Sequence, residues 1–463
     1  MLIRNSFSRH TPSIVRQQCY LQPSNRRGLA AAASGSFQYQ TGDASGVKFA
    51  SRDIPGPTTT LALVAKAGTR YQLMPGLTDG LEKFAFKGTT KRSAIRITRE
   101  TELLGAELSA YHSRESLVIG AKFLRDDLPY FVELLGDVAK ENKYTPHEFA
   151  EEVLPTIKLG QKALLGNTKA LASNSVHSLA FHRGLGTPLH PTSSSPLTKY
   201  LNEERIAGYG SAAYVKPNIA LVANGVDGNE FSKWVSEFFS DTPSAHPTNI
   251  PKLESAPSKY YGGEERISHD SGNTMIIAFP GSSSFTAGGS YKPEVAVLAA
   301  LLGGETSIKW SPGFSLLSKS VSLFPGANVS TSQAAYSDAG LLCVTFNGSA
   351  KAIKGASEHA IKAIKSVASG EINKEDLTKA TAAAKFRALE AGQNVEAGLE
   401  LTGAGLIQGG QAFQIDEVAK SIDSVSADQV QKMAKSMLDG KASVSTVGDL
   451  YVLPYAEEIG LNI

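Results

Sequence analysis

Asp79, Glu82 and Lys83 fall within five consecutive residues of the segment Gly76-Leu77-Thr78-Asp79-Gly80-Leu81-Glu82-Lys83-Phe84. A single carboxylate such as Asp79 holds an oxygen-seeking cation weakly, and Lys83 brings a positive charge to the same place. Glu82 can act as a general base only on a water that something else has activated. Few other residues offer chemistry. The chain has no Gly-x-x-x-x-Gly-Lys-Ser/Thr phosphate cradle, no Gly-x-Ser-x-Gly nucleophile elbow and no Cys-x-x-Cys pair. Its nine histidines are scattered, with none three or four residues from another, the spacing that puts two imidazoles of one helix on one metal. His177 and His182, five apart, face different sides of a helix, and isolated histidines of this kind read as structural. Gly403-Ala404-Gly405 with Gly409-Gly410 lacks the preceding strand and the spacing of a dinucleotide site, so it reads as small residues at a helix contact.

The elements that must position these residues are legible from periodicity. Leu128, Phe131, Val132, Leu135 and Val138 form one apolar stripe after Asp126-Asp127. Thr145-Pro146-His147-Glu148 has the form of a capping box with Pro at the first helical position, predicting a long helix toward Leu164 with a kink at Pro155. Ser426-Ala427-Asp428-Gln429 is a second such box, opening a helix to about Leu438. Strand signals recur at a nearly constant offset. Gly105-Ala106-Glu107-Leu108-Ser109-Ala110-Tyr111, continuing to Ser116-Leu117-Val118-Ile119, pairs with Gly326-Ala327-Asn328-Val329-Ser330, continuing to Gly340-Leu341-Leu342-Cys343-Val344. Ile219 to Gly225 pairs likewise with Ala442 to Gly448, and the agreement of the two offsets predicts a duplication. Runs of strands and runs of helices indicate an α+β fold of two homologous halves, each a β-sheet flanked by helices with its own core. Between them, Pro243, Pro247, Pro251 and Pro257 stand in a glycine-free stretch that reads as a semi-rigid linker, residues 241–259. The halves are then 30–240 and 260–463.

Charge distribution supplies an address. No acid occurs before Asp43, whereas Arg4, Arg9, Arg16, Arg26 and Arg27 are spread through a Ser- and Gln-rich stretch, the pattern of a mitochondrial presequence. Residues 1–29 are expected to be removed, with the cut between Leu29 and Ala30. Losing five arginines turns a formal charge of +2 into a mildly acidic mature chain, which excludes a whole-chain nucleic-acid footprint. Cys19 leaves with the presequence and Cys343 remains alone, so no disulfide within the mature chain is expected. With 41% hydrophobic residues, the composition excludes disorder and collagen. The apolar run Val295–Leu302 is far shorter than the ~20 residues that span a bilayer, so membrane contact is expected only through partners.

Ala67-Gly68-Thr69-Arg70-Tyr71, the segment from Gly76 to Thr89, Leu104-Gly105-Ala106 and Ser113-Arg114-Glu115 together resemble the zinc-binding region of the pitrilysin or insulinase-like metallopeptidases. That family reads His-x-x-Glu-His here. Its histidines fall on Asp79 and Lys83, its general base on Glu82, and its third ligand, a downstream Glu, at or near Ile157. The resemblance implies the two-half fold of that family without its zinc site: no cofactor, no metal and no catalytic residue, with Glu82 and Lys83 as ordinary charges on the helix surface or paired with neighbours. Ala180-Phe181 with Leu185-Gly186-Thr187-Pro188-Leu189 matches the family's usual connector. Leu301 to Gly313, with Trp310, and Ala334 to Leu341 resemble the core 2 branch of the family, found in mitochondrial ubiquinol:cytochrome c reductase, respiratory complex III. Membership of that branch implies a structural, non-catalytic subunit at the matrix side of the inner membrane, needed for assembly and stability of a dimeric complex. Its partners there would be the core 1 paralogue, cytochrome b, cytochrome c1, the Rieske protein and small subunits. The alternative within the family is the presequence-binding alpha subunit of the mitochondrial processing peptidase, which carries a long glycine-rich loop where this chain has Ile308, Lys309, Trp310 and Pro312.

Overall fold

A computed structural model describes residues 38–463, apart from positions 193, 194, 249, 251, 288, 289, 305–312 and 314. The presequence expectation for residues 1–29, with its cut between Leu29 and Ala30, lies outside the described residues, as does most of the segment from Gly303 to Gly313.

Short aliphatic and β-branched runs build two sheets. The first contains β1 (Gln40–Ala44), β2 (Val47–Arg52), β3 (Thr58–Ala65), β4 (Glu107–His112), β5 (Leu117–Leu124) and β6 (Ile219–Asn224), in the order β1-β2-β6-β3-β5-β4. The second contains β7 (Gly263–Ser268), β8 (Asn273–Pro280), β9 (Ala327–Ala335), β10 (Gly340–Gly348) and β11 (Ser443–Gly448), in the order β7-β11-β8-β10-β9. In each sheet the last strand of the half inserts centrally. β6 runs parallel to β2 and antiparallel to β3, and β11 runs parallel to β7 and antiparallel to β8. All six residues of β6 and of β11 are buried, as strands covered on both faces require. Both sheets end in an antiparallel hairpin, β4–β5 and β9–β10, preceded by Gly105 and Gly326. Apart from β1, the duplication is visible strand for strand.

Ten helices carry the packing argument: α1 (Leu77–Phe84), α2 (Leu128–Lys140), α3 (Leu154–Leu165), α4 (Thr168–Phe181), α5 (Gly228–Phe239), α6 (Pro293–Leu302), α7 (Ala350–Ala368), α8 (Lys374–Gln393), α9 (Val395–Gln408) and α10 (Ala427–Asp439). The stripe Leu128, Phe131, Val132, Leu135 and Val138 is buried as its period requires. The Ser426 capping box forms with Gln429. At Thr145 it does not: the Thr145 hydroxyl donates to the Glu148 carboxylate, whose Oε1 accepts the Gly88 N–H at 2.9 Å. The expected long helix runs from Pro146 to Leu165 with a π-turn over Phe149–Val153 inside it, and Pro155 follows directly after that turn, in the first turn of α3.

Each sheet packs one face on helices of its own half. α2 and α5 lie on the first sheet with Leu61, Leu63, Ile119 and Leu221, and α6, α7 and α10 lie on the second with Ile277, Leu342 and Val444. The opposite faces are exchanged. α4, from the first half, covers the second sheet, where Val176, Ala180 and Phe181 meet Ile276, Ala278, Leu341 and Val447. α9, from the second half, covers the first, where Leu399 and Leu406 meet Val64, Val118 and Val222. Both helices are 14 residues long and are capped alike, Asn167 and Asn394 each accepting two backbone N–H groups. Gly403 permits the close approach of α9, since a Cβ there would lie 2.4 Å from Val64. The small-residue segment around Gly403 is therefore a helix–sheet contact. Each half has a large core of its own, as expected, and two further clusters are built jointly.

No helix or strand occurs between Ser240 and Gly262 among the described residues. This connector is fastened to the body rather than held off as a spacer. Leu253 enters the first core, the Ala256 carbonyl accepts from Arg70 at 3.4 Å, and the Ser258 N–H donates to Asp338 at 2.8 Å.

Candidate functional site

Helix α1 begins after Gly76, whose φ of +92° favours glycine, and buries Leu77, Leu81 and Phe84 in the first core. That anchorage fixes the other face of the helix. Asp79 sits in the first turn, where a negative charge suits the helix dipole, and is only 4% exposed. Glu82, one turn on, is also buried. Of the two expected settings, Glu82 takes the paired one, while Lys83 also reaches solvent with its side chain 38% exposed.

Two residues that sequence spacing did not mark complete the cluster. His112, the last residue of β4, directs Nδ1 at the Glu82 carboxylate and Nε2 at the Leu189 carbonyl oxygen, 2.9 Å away. His190, on the loop after Leu189, places Nδ1 2.8 Å from Asp79 Oδ1. The two imidazoles meet edge to face at 5.1 Å. The histidines remain scattered along the chain, but the fold gathers these two around α1.

The loop bearing Leu189 and His190 is held by Arg114. Its guanidinium, buried, donates to the Leu185 carbonyl at 3.0 Å, to the Thr187 carbonyl and to Asn174 Oδ1 at 2.9 Å, while Asn174 Oδ1 also accepts the Leu189 N–H at 3.2 Å. The structure thus brings together three segments singled out in the sequence: Gly76–Thr89, Ser113–Glu115 and Leu185–Leu189. A fourth joins from the second half. Arg70 contacts Glu115 and Asp338 at 2.7 Å each, and Glu115 accepts from both the backbone and the hydroxyl of Ser337. Burial alone would lower the Arg70 pKa, but Asp338 and Glu115 together raise it.

Electrostatics decide what the cluster does. Burial pushes the Glu82 pKa up, yet the hydrogen bond from His112 and the ammonium of Lys83 hold it below the usual carboxylate range. Burial pushes His112 down, but Glu82, the charge of Asp79 and the Leu189 carbonyl raise it. Both ring nitrogens of His112 face acceptors, so both donate and the ring is an imidazolium. Glu82 is then clasped by two cations, His112 and Lys83. A carboxylate so paired has little basicity left for a water.

The resemblance puts the family's zinc ligands at the positions of Asp79, Lys83 and Ile157. The Lys83 ammonium rests on Glu82, and Ile157 is buried in the first core among apolar side chains with Leu81, Phe84 and Val153. Neither offers a lone pair, so that ligand set does not fit the metal.

Comparisons with known proteins agree with this anatomy. Residues 48–193 match the profile of the insulinase family (peptidase family M16), and residues 200–383 match that of the M16 inactive domain. The cytochrome b-c1 complex subunit 2 of Neurospora crassa is 49% identical over 463 residues, all of both chains. Its Schizosaccharomyces pombe namesake is 35% identical over 91% of this chain and 95% of its own. A probable mitochondrial-processing peptidase subunit alpha-1 of Arabidopsis thaliana is 26% identical over 90% of this chain and 82% of its own.

Proposed function

For a chain that belongs to the insulinase (M16) peptidase family, we propose the role of a non-catalytic core subunit of the mitochondrial cytochrome b-c1 complex. One observation carries the reading: identity of 49% along the whole length of a protein named subunit 2 of that complex, against 26% for a processing-peptidase alpha subunit. The site supports it. The general-base position is occupied by a Glu82 clasped between Lys83 and His112, and two of the family's three ligand positions hold Lys83 and Ile157.

The contribution of such a subunit is buried surface. No helix among the described residues is long and apolar enough to cross a membrane, so attachment to the inner membrane runs through partners, on the matrix side. The core 1 paralogue, cytochrome b, cytochrome c1, the Rieske protein and small subunits are the partners this reading names, within a dimeric complex. Obligate interfaces of this kind commonly bury more than about 2,000 Å², so loss of one subunit exposes large apolar areas on the others.

Native electrophoresis of detergent-solubilised mitochondria, probed for this chain, tests the proposal. Migration with cytochrome b is expected, and a deletion strain should fail to accumulate the complex. Migration as a small soluble heterodimer would assign the chain to presequence processing instead. Normal amounts of complex with one redox step selectively impaired would replace the scaffold role by a direct part in electron transfer.

A further inference from the structure

We propose that Asp79, His112 and His190 form a binding site for a divalent cation of the zinc class, in which His112 and His190 stand beside Asp79 in place of the family positions held here by Lys83 and Ile157. The three residues come from α1, the end of β4 and the loop after Leu189, and their potential ligand atoms all lie within 4.8 Å of one another. Two imidazoles and one carboxylate are the donors that zinc, cobalt and nickel accept readily, whereas magnesium and calcium require oxygen.

A second observation points to a ligand. Asp79 Oδ2 is buried with no hydrogen-bond partner among the described residues, although Oδ1 is bound to His190. A buried carboxylate oxygen without a partner is costly, and a cation is one of the few species that would satisfy it. The surroundings are those of a metal centre. A coordinating histidine commonly passes its second ring nitrogen to a carboxylate or a backbone carbonyl, and His112 is held by one of each, Glu82 and Leu189. Nε2 turns from the Leu189 carbonyl to the cation, and Nδ1 stays anchored on Glu82.

Binding requires a modest closure. Bonds of about 2.0–2.2 Å set tetrahedral ligands about 3.3–3.6 Å apart, so donors separated by as much as 4.8 Å must draw in by up to roughly 1.5 Å, while His190 Nδ1, 2.8 Å from Asp79, must ease outward. His190 can adjust, because its side chain is 39% exposed on a loop while Asp79 and His112 are buried. The same exposure leaves a side for water or a fourth ligand. Coordination takes one proton from His112 and turns the Nδ1–H of His190 away from Asp79, with the displaced proton passing to solvent. Hydrolysis does not follow from occupancy, since Glu82 stays engaged by Lys83 and His112.

The test uses the full chain, stripped with a chelator and dialysed against zinc, then analysed for metal. About one zinc per chain is expected, not displaced by excess magnesium. Cobalt in its place should give the intense visible bands of a four-coordinate centre. His190→Gln, at a half-exposed position that leaves the fold intact, should lose the cobalt bands and weaken zinc binding at least tenfold. Glu82→Gln, which removes the carboxylate behind His112, should weaken it about 10–100-fold. His147→Gln, at an exposed site elsewhere, should change neither. Retention of no zinc, or equal retention by wild type and His190→Gln with a native circular dichroism melt, would overturn the proposal. These outcomes are independent of whether the chain migrates with cytochrome b.

Discussion

Helices α1 and α6 occupy the same place in the two halves, each following the antiparallel central strand, β3 or β8, yet they are built from opposite materials. α1 buries Asp79 and Glu82 beside its leucines, whereas α6 buries Val295 and the run Val297–Leu302, with Glu294 its one charged residue, in the first turn. The neighbouring strands match this divide: β4 ends in His112 and β9 in Ala335. Duplication preserved the scaffold and let the side chains part. The first half keeps a polar cluster at a cost in desolvation, and the second fills the equivalent volume with core.

What the halves still share is the seam between them. Glu115 and Ser337, at the tips of the β4–β5 and β9–β10 hairpins, lie 222 residues apart, close to the repeat offset, so near-counterparts of the repeat bond to each other. The exchanged helices α4 and α9 are reciprocal in the same way, each covering the sheet of the other half. Such an arrangement ties the stability of each half to the other.

The largest test of that coupling is Phe181→Ala, which opens a cavity where α4 covers the second sheet. A loss of about 3–5 kcal/mol is expected in denaturant titration, with one melting transition in calorimetry for wild type and variant alike. Two separate transitions would show that the halves fold independently and that the exchange is decoration. Arg70→Met should cost about 3 kcal/mol, because it strands the buried Glu115, the cost being moderated by the 31% exposure of Asp338.

Gly403→Ala attacks the seam from the other side. With Val64 in the way, overpacking of about 1–3 kcal/mol is expected, and a neutral result would mean that α9 can withdraw from β3 freely. Acid should sharpen the contrast as well. Burial, together with the charge of Arg114, pushes His177 down to about 3 where it accepts from Tyr336 across the seam, so it is neutral in the folded chain. Below pH 6.5 the unfolded chain binds the proton that the folded chain refuses. Stability contributed by neutral His177 is therefore complete above pH 6.5 and falls by up to about 1.4 kcal/mol for each unit below it. His177→Gln should flatten that part of the pH–stability curve, and an unchanged slope would place the acid sensitivity elsewhere. Lys83→Ala is the smallest effect, about 0.5 kcal/mol, since a partly exposed partner of Glu82 contributes little. A loss several times larger would mean that His112 alone cannot hold Glu82.

From the sequence alone came the α+β class, the two halves, the α2 stripe and the Ser426 cap. These depend on local periodicity, on turn chemistry and on residue identity at a motif, all carried by contiguous stretches. Thr145 misled because a capping box fixes only residue types. Glu148 is drawn instead to the Gly88 N–H, a partner 60 residues away. The exchange of α4 and α9 was equally hidden, because an apolar face records that it will be covered and not by which helix. Only the tertiary structure decided that His112 and His190 converge on Asp79 and Glu82. They lie on a strand end and a loop, 30 and 111 residues from their partners, and no one-dimensional period encodes a meeting set by the packing of a helix, a hairpin and a loop held by Arg114.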